Sequence, residues 1–378
     1  MKLYKTLVAT AAIGLLAGQT TAQTAADLPD VITWSAYGAG SSGNAQAVAI
    51  GAALKNELGK TLRILPGKND ISRMVPLRDE RVMFSAAGIA TFYAQEGSKI
   101  FAERAWGPQK VRVLLASNPD HNQGVAATAE SGIETVADLA GHRVAAVIGS
   151  PAINEGVEAV LAFGGLTWDD VERVDFPGYA ASWEGMLNGQ VDAAWGATTI
   201  SSAIQLENSP RGIHWLPLPP EEAESWARLQ EIAPHIVPHA ATIGAGISAE
   251  NPQQGTNYPY PILIAYADQD PDLVESMTRA LIDLFPAYSG AAPGADGFAI
   301  EKQTLNWIVP FHEGAVRALK DAGIWTDAAQ TRNDALIDRQ DKLAAAWEEL
   351  LAQDLSDEDL AAAWDEKRAG IPLPADAG

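Results

Sequence analysis

Short apolar segments alternate with glycine-containing turns and helix-like segments, and this alternation strongly limits the folds that the chain can adopt. In the first third of the sequence, the apolar segments are residues 31–34, 62–65, 82–84 and 111–116. Strands that alternate with helices are typical of a mostly parallel sheet with helices on both faces. The pattern therefore predicts one α/β unit here.

The same alternation returns after Asn122, where we predict strands at residues 143–148, 171–176 and 191–195. Two such units fit a chain of 378 residues, because single hydrophobic cores stop growing near that size. The fold class that we predict is α/β, with two lobes and a ligand cleft at the hinge between them. Residue 262 begins a further predicted strand.

Helix boundaries follow from capping residues. We predict that Ser42 or Asn44 caps the first helix and that Ser131 and Glu134 form a capping box in the second unit. Ser150 followed by proline is typical of a helix start.

The expected organisation has five parts. We assign residues 1–22 to a signal peptide, 28–120 to the first part of lobe 1, 121–240 to lobe 2, 241–325 to the return crossing and the remainder of lobe 1, and 326–378 to a C-terminal helical extension. Proline-rich residues 217–261 are interpreted as a surface excursion followed by the return crossing. An apolar stripe on the extension predicts packing on the body, with a partner-binding helix as the alternative. The stripe consists of Leu336, Leu343, Trp347 and Leu350.

The N-terminus has the features of a secretory signal peptide. Lys2 and Lys5 precede the apolar residues 7–17, and small residues lead to a cleavage site after Ala22. The apolar run is shorter than the about 20 residues that span a bilayer. We therefore expect a periplasmic protein whose mature chain does not insert into the membrane.

Charge and composition exclude several partners. The 26 Lys and Arg against 48 Asp and Glu give a net charge of −22, which disfavours nucleic acid and anionic lipid. Cysteine is absent, so disulfides and thiol chemistry are excluded. We expect a monomer without cofactors.

Catalytic and metal motifs are not evident. The sequence has no G-x-S-x-G, H-E-x-x-H or phosphate-binding glycine loop. Of six histidines only His235 and His239 have a helical spacing, and Pro234 and Pro238 interrupt that segment. We therefore expect no metal site and no enzyme, although an enzyme on the same fold stays open as an alternative.

Two helix starts offer backbone N–H groups to an anion. One follows the glycine-containing residues 38–44, and the other lies at residues 149–154. A ligand held between them would draw the two lobes together by hinge closure. The alternative for each loop alone is an ordinary glycine turn.

Several segments resemble one family of receptors. "SGIETVADLAGHRV" at residues 131–144, "IGSPAINEGVEAVLAFGGL", "LNGQVDAAW" and "FHEGAVRALKDAGIW" are similar in order and spacing to motifs of the TAXI family of TRAP-associated extracytoplasmic solute-binding proteins. The resemblance spans residues 31–325. It implies a type II periplasmic-receptor fold, a small carboxylate ligand in the cleft, and TRAP transporter membrane subunits as partners.

The resemblance also implies binding residues. It assigns polar or backbone contacts to Gly38, Ser41, Ser42, Asn44, Asn69, Ser150 and Asn154. The first loop departs from the family, because it reads "GAGSSGNAQ" where the family usually has a tyrosine pair.

Aromatic residues near predicted strand ends are further candidates for ligand binding, since ligand clefts form at those ends. These residues are Trp34, Tyr37, Tyr179, Trp183 and Trp195, with Gly88 after the third predicted strand. Core packing is the alternative for each tryptophan. The arginines that could pair with a ligand carboxylate are Arg73, Arg78 and Arg81, each of which could equally be solvated.

The sequence thus predicts a TRAP-type receptor that binds a small organic acid by lobe closure. Amino acids, keto or dicarboxylic acids and aromatic acids are all open as ligands. A periplasmic sensor or scavenger is the alternative among binding proteins.

Overall fold

The computed structural model describes residues 24–374, which form two five-stranded sheets and a two-stranded hairpin. The strands are β1 (Val31–Tyr37), β2 (Thr61–Gly67), β3 (Phe84–Ala87), β4 (Val111–Ala116), β5 (Gln123–Ala127), β6 (Arg143–Val147), β7 (Glu172–Phe176), β8 (Ala193–Ala197), β9 (His214–Trp215), β10 (Val237–Ala241), β11 (Gln253–Asn257) and β12 (Ile262–Tyr266). The predicted signal peptide lies outside the described residues.

Helices separate most of the strands, as the alternation predicts. They are α1 (Ser42–Leu58), α2 (Asp70–Arg78), α3 (Ala90–Glu96), α4 (Pro151–Phe163), α5 (Tyr179–Leu187), α6 (Ser201–Glu207), α7 (Ala223–Ile232), α8 (Pro271–Asp283), α9 (Phe285–Tyr288), α10 (Glu313–Asp321), α11 (Asp327–Leu351) and α12 (Asp357–Ala369). Within residues 24–374, no helix is both long enough and apolar enough to cross a membrane.

The two large sheets share one topology. The first has the order β2-β1-β3-β12-β4, and the second has the order β7-β6-β8-β5-β9. In each sheet the antiparallel member is the strand that follows a crossing from the other sheet, β12 in the first and β5 in the second. We call the bodies built on these sheets lobe 1 and lobe 2. The predicted two-lobed α/β fold of type II periplasmic receptors is confirmed.

Two chain segments cross between the lobes. Residues 117–122 lead from β4 to β5, and residues 258–261 lead from β11 back to β12. The β10–β11 hairpin braces the first crossing, because the Asn122 side-chain amide donates to the His239 carbonyl at 3.1 Å and to the Gln253 carbonyl at 2.9 Å.

The capping residues of α1 and α2 lie beside the crossings. Ser41 caps α1 by accepting a hydrogen bond from the Asn44 backbone N–H at 3.2 Å, so the cap precedes both predicted residues. Asn69 and Ser72 form a capping box at the start of α2. The carboxyl ends of β1 and β2 are thereby fixed next to two helix starts.

Two further local predictions were wrong in whole or in part. The capping box that we placed at Ser131 and Glu134 is formed instead by Thr135 and Asp138, because Gly132 adopts a φ of 75° and ends the preceding turn. For residues 217–261, the structure has the predicted return crossing at residues 258–261, but the predicted surface excursion contains α7 and the β10–β11 hairpin. The predicted apolar stripe of α11 is buried against lobe 1 and α12.

Candidate functional site: the cleft between the lobes

Residues from both lobes enclose a cavity at the carboxyl ends of the central strands. The space between them, including open solvent at the mouth, is about 510 Å³. Such clefts outside the strand ends are where α/β sheets bind ligands. The lining residues are Tyr37, Lys68, Asn69, Asp70, Arg73, Gly88, Ile89, Gln123, Ser150, Ala152, Ile153, Tyr179, Trp195, Gly196, Ala197, Tyr258 and Tyr260.

Four tyrosines give the cavity an aromatic wall. Tyr37 ends β1, Tyr179 begins α5, and Tyr258 and Tyr260 lie on the second crossing. The Tyr37 and Tyr260 rings meet edge to face with centroids 4.9 Å apart. Burial raises the pKa of Tyr260 to about 12 and that of Tyr37 well above its ordinary value, so both are neutral hydroxyls that can donate hydrogen bonds.

Glycines make room for these rings. A Cβ atom on Gly43 would lie 2.5 Å from the Tyr37 ring, and one on Gly88 would lie 2.9 Å from the Tyr37 hydroxyl oxygen. On lobe 2, a Cβ atom on Gly196 would lie 2.9 Å from the Tyr179 hydroxyl oxygen. The glycines near the cleft thus serve side-chain packing as well as turn geometry.

Arg73 is the buried cation of the site. It is 5% exposed, and its guanidinium carbon lies 4.0 Å from the centroid of the Tyr37 ring. One terminal nitrogen pairs with Asp70 on the same helix. Its Nε has no hydrogen-bond partner in residues 24–374.

Two further lining residues carry a buried donor without a partner in the part of the chain that the structure describes. The Tyr37 hydroxyl and the Gln123 side-chain nitrogen are buried and, like Arg73 Nε, have no hydrogen-bond partner in the described chain. Each of these three atoms can donate a hydrogen bond. Buried donors without acceptors are costly, so the cavity is suited to a ligand that supplies oxygen acceptors.

Polar contacts join the lobes along the cavity. The Asn69 amide donates to the Ile148 carbonyl at 3.0 Å, and the Tyr179 backbone N–H donates to the Lys68 carbonyl at 3.4 Å. The Asp70 carboxylate accepts hydrogen bonds from lobe 2, at 3.1 Å from the Ser150 hydroxyl and 3.0 Å from the Ala152 N–H. The lobes are therefore closed on each other.

The structure brings six of the candidate residues from the sequence to this cavity. They are Tyr37, Asn69, Gly88, Ser150, Tyr179 and Trp195. Gly38 and Ser41 line a second pocket, which shares Tyr37, Lys68, Arg73 and Tyr179 with the cavity.

The other five candidates line neither the cavity nor this second pocket. Trp34 and Trp183 are in the lobe cores, 1% and 0% exposed, and Ser42 is buried in the first turn of α1. Asn44 donates to the Tyr37 carbonyl at 2.9 Å, and Asn154 holds both backbone groups of Val147. These two amides fasten a helix start to the preceding strand.

Of the three candidate arginines, only Arg73 reaches the cavity. Arg78 lies over the Trp106 ring at 4.1 Å, and the Arg81 side chain is 58% exposed.

The sequence analysis did not identify Asp70, Gln123 and the two tyrosines of the second crossing as site residues. The segment "NYPYP" just before β12 nevertheless places aromatic residues at a predicted crossing. Within residues 24–374, no three His, Asp or Glu side chains are grouped to hold a metal ion.

Two lobes joined by two crossings, with a cavity between them that residues of both lobes line, are the architecture of bilobal solute-binding proteins. The chain belongs to the NMT1-like family, whose model matches residues 38–323 and which is a family of periplasmic solute-binding proteins.

Solved structures with a similar outline include the alkanesulfonate-binding protein SsuA from Xanthomonas axonopodis pv. citri bound to MOPS. It is 16% identical, with 92% of this chain and 96% of that chain covered and a TM-score of 0.44. An ancestral arginine-binding protein bound to arginine is 13% identical, with 72% and 97% covered and a TM-score of 0.42. A comparison with curated proteins gives no match.

Proposed function

We propose that the protein is the periplasmic receptor of a TRAP-type transporter, which closes around a small organic acid and delivers it to the membrane subunits. One observation carries the ligand class: three of the residues that line the cavity between the lobes each carry a buried donor without a partner in the described residues. A carboxylate offers the acceptors that these donors lack. Binding and release by lobe closure require no chemical step.

Arg73 is the residue that we expect to hold the ligand carboxylate. Its guanidinium is buried and fixed between Tyr37 and Asp70, so little side-chain entropy is lost when Nε donates to an oxygen. The Tyr37 hydroxyl and the Gln123 amide can complete the set of donors. The remaining wall of tyrosines, Trp195 and Ile153 suits an apolar ligand body.

The assignment to a TRAP transporter rests on the sequence. The segments at residues 131–144 and 311–325 resemble the TAXI receptors, whose partners are TRAP membrane subunits. The predicted signal peptide would place the protein in the periplasm, where such subunits receive their solutes.

Calorimetric titration with small carboxylic acids tests the ligand class. We expect Arg73→Gln to weaken the binding of the tightest acid by about 10-fold or more, because a charge-assisted hydrogen bond contributes about 1.5–3 kcal/mol. Arg78→Gln is the matched control, since it removes the same charge from the same helix outside the cavity.

The proposal fails if both variants bind the acid as tightly as the unmodified protein, or if no carboxylic acid binds. Circular dichroism of each variant separates lost binding from lost folding. Uptake of the acid by proteoliposomes that hold TRAP subunits, dependent on added receptor, tests the transport step.

A further inference from the structure

We infer that Asp70 makes the cleft selective for monocarboxylates over dicarboxylates. The inference rests on the proposed function and narrows its ligand class. It follows from a carboxylate of lobe 1 that lies at the anion-binding helix start of lobe 2.

Asp70 occupies the position where lobe 2 would otherwise favour an anion. The N-terminus of the thirteen-residue helix α4 directs backbone N–H groups into the cleft. One Asp70 oxygen accepts from the Ala152 N–H at 3.0 Å and from the Ser150 hydroxyl at 3.1 Å. The helix start is therefore filled by the chain's own carboxylate when the lobes are closed.

The other Asp70 oxygen pairs with Arg73, and Asp70 is only 2% exposed. The buried lining thus holds one cation and one anion. A single ligand carboxylate can still use Arg73 Nε, the Tyr37 hydroxyl and the Gln123 amide, because none of these has a partner in the described residues.

A second ligand carboxylate has no comparable place. At the start of α4 it would meet the Asp70 charge, and juxtaposed like charges repel each other. Elsewhere it would face the aromatic and aliphatic wall, where an unpaired charge loses its hydration. Lys68 also lines the cavity, but this residue is exposed, so water and salt screen its charge.

Matched acids test the inference on the unmodified protein. The dissociation constants of pentanoate and glutarate, and of benzoate and isophthalate, are measured by calorimetry at neutral pH and constant ionic strength. We expect the monocarboxylate of at least one pair to bind about 10-fold or more tightly than its dicarboxylate. Equal or tighter binding of the dicarboxylates overturns the role of Asp70 and leaves the proposed function standing. Binding of none of the four acids, nor of any other carboxylate, overturns both.

The variant Asp70→Asn identifies the cause. An asparagine keeps an oxygen that can accept from the Ala152 N–H but removes the negative charge. The preference for the monocarboxylate over its dicarboxylate should therefore fall several-fold, mainly because the dicarboxylate binds more tightly. Asp79→Asn is the matched control, because Asp79 follows the same helix and pairs with Arg78 and Arg81 away from the cavity. An unchanged preference for the monocarboxylate in folded Asp70→Asn overturns the inference. If that variant does not fold, the ratios of the dissociation constants measured on the unmodified protein decide.

Discussion

At the residue scale, three buried histidines are held neutral by the fold. Burial lowers the pKa of His121 to about 4, that of His235 to about 3 and that of His312 to about 4. His121 lies on the first crossing, with its Nδ1 3.4 Å from the Thr199 hydroxyl oxygen and its ring centroid 6.5 Å from that of Tyr260. His312 caps α10 by accepting a hydrogen bond from the Gly314 N–H at 3.2 Å. Each of these histidines takes up its proton more readily in the unfolded chain.

These shifts predict a loss of stability in mild acid. An unfolded histidine has a pKa of about 6.5, so between pH 6.5 and pH 4 the unfolded chain binds more protons than the folded one. The free energy of unfolding should therefore decrease as the pH is lowered through this range, on the order of 1 kcal/mol per pH unit for each histidine. Urea unfolding at pH 7, 6 and 5.5 measures the slope, and His235→Gln should make it shallower. An unchanged slope in that variant would contradict the account of His235.

At the element scale, the C-terminal helices complete lobe 1 behind the cleft. Helix α3 begins just after Gly88 and Ile89, and its far end is held by α11 and α12. Arg339 makes a bidentate ion pair with the buried Glu96, with one contact at 2.7 Å. The Trp364 indole N–H donates to the Glu96 and Gly97 carbonyls at 3.1 Å and 2.9 Å.

The buried ion pair between Arg339 and Glu96 should contribute to the free energy of unfolding. Arg339→Met should lower the free energy of unfolding by about 3 kcal/mol, because it leaves the Glu96 carboxylate buried without its main partner. Lys342→Met on the same helix removes an exposed pair with Asp338 and should cost less than about 1 kcal/mol. Urea titrations of both variants measure the difference, and equal losses would argue against a structural role for the extension.

The elements themselves were largely predictable from the sequence. Periodicity and capping residues indicated β4 and β6 to within a residue or two, together with the starts of α4 and β12, because their apolar patterns and capping residues agree. The predicted capping box at Ser131 failed because Gly132 permits a turn that the residue types alone do not reveal.

The site was less predictable, because side chains far apart in sequence build it. Asp70 reaches Ser150 only after both lobes have folded and closed, eighty positions along the chain. Asn44 and Asn154 have residue types that suit a ligand, yet each binds back to the preceding strand. Arg73 could be named as a candidate, but its burial could not be distinguished from the exposure of Arg81 by spacing alone.

At the scale of the whole molecule, the two lobes form a clamp around the cavity. Two crossings join lobes of the same topology, and contacts from Asn69 and Asp70 to lobe 2 close them over a cavity with unsatisfied donors. The net charge of −22 repels a carboxylate. The positive potential that binds one must therefore come from local groups, which are Arg73 and backbone N–H groups.

A crystal structure with the tightest-binding acid tests this clamp most directly. We predict the ligand carboxylate between the lobes, with its oxygens about 3 Å from Arg73 Nε and the Tyr37 hydroxyl. An acid that binds outside this cavity, or that leaves both of those donors without an acceptor, would contradict the account.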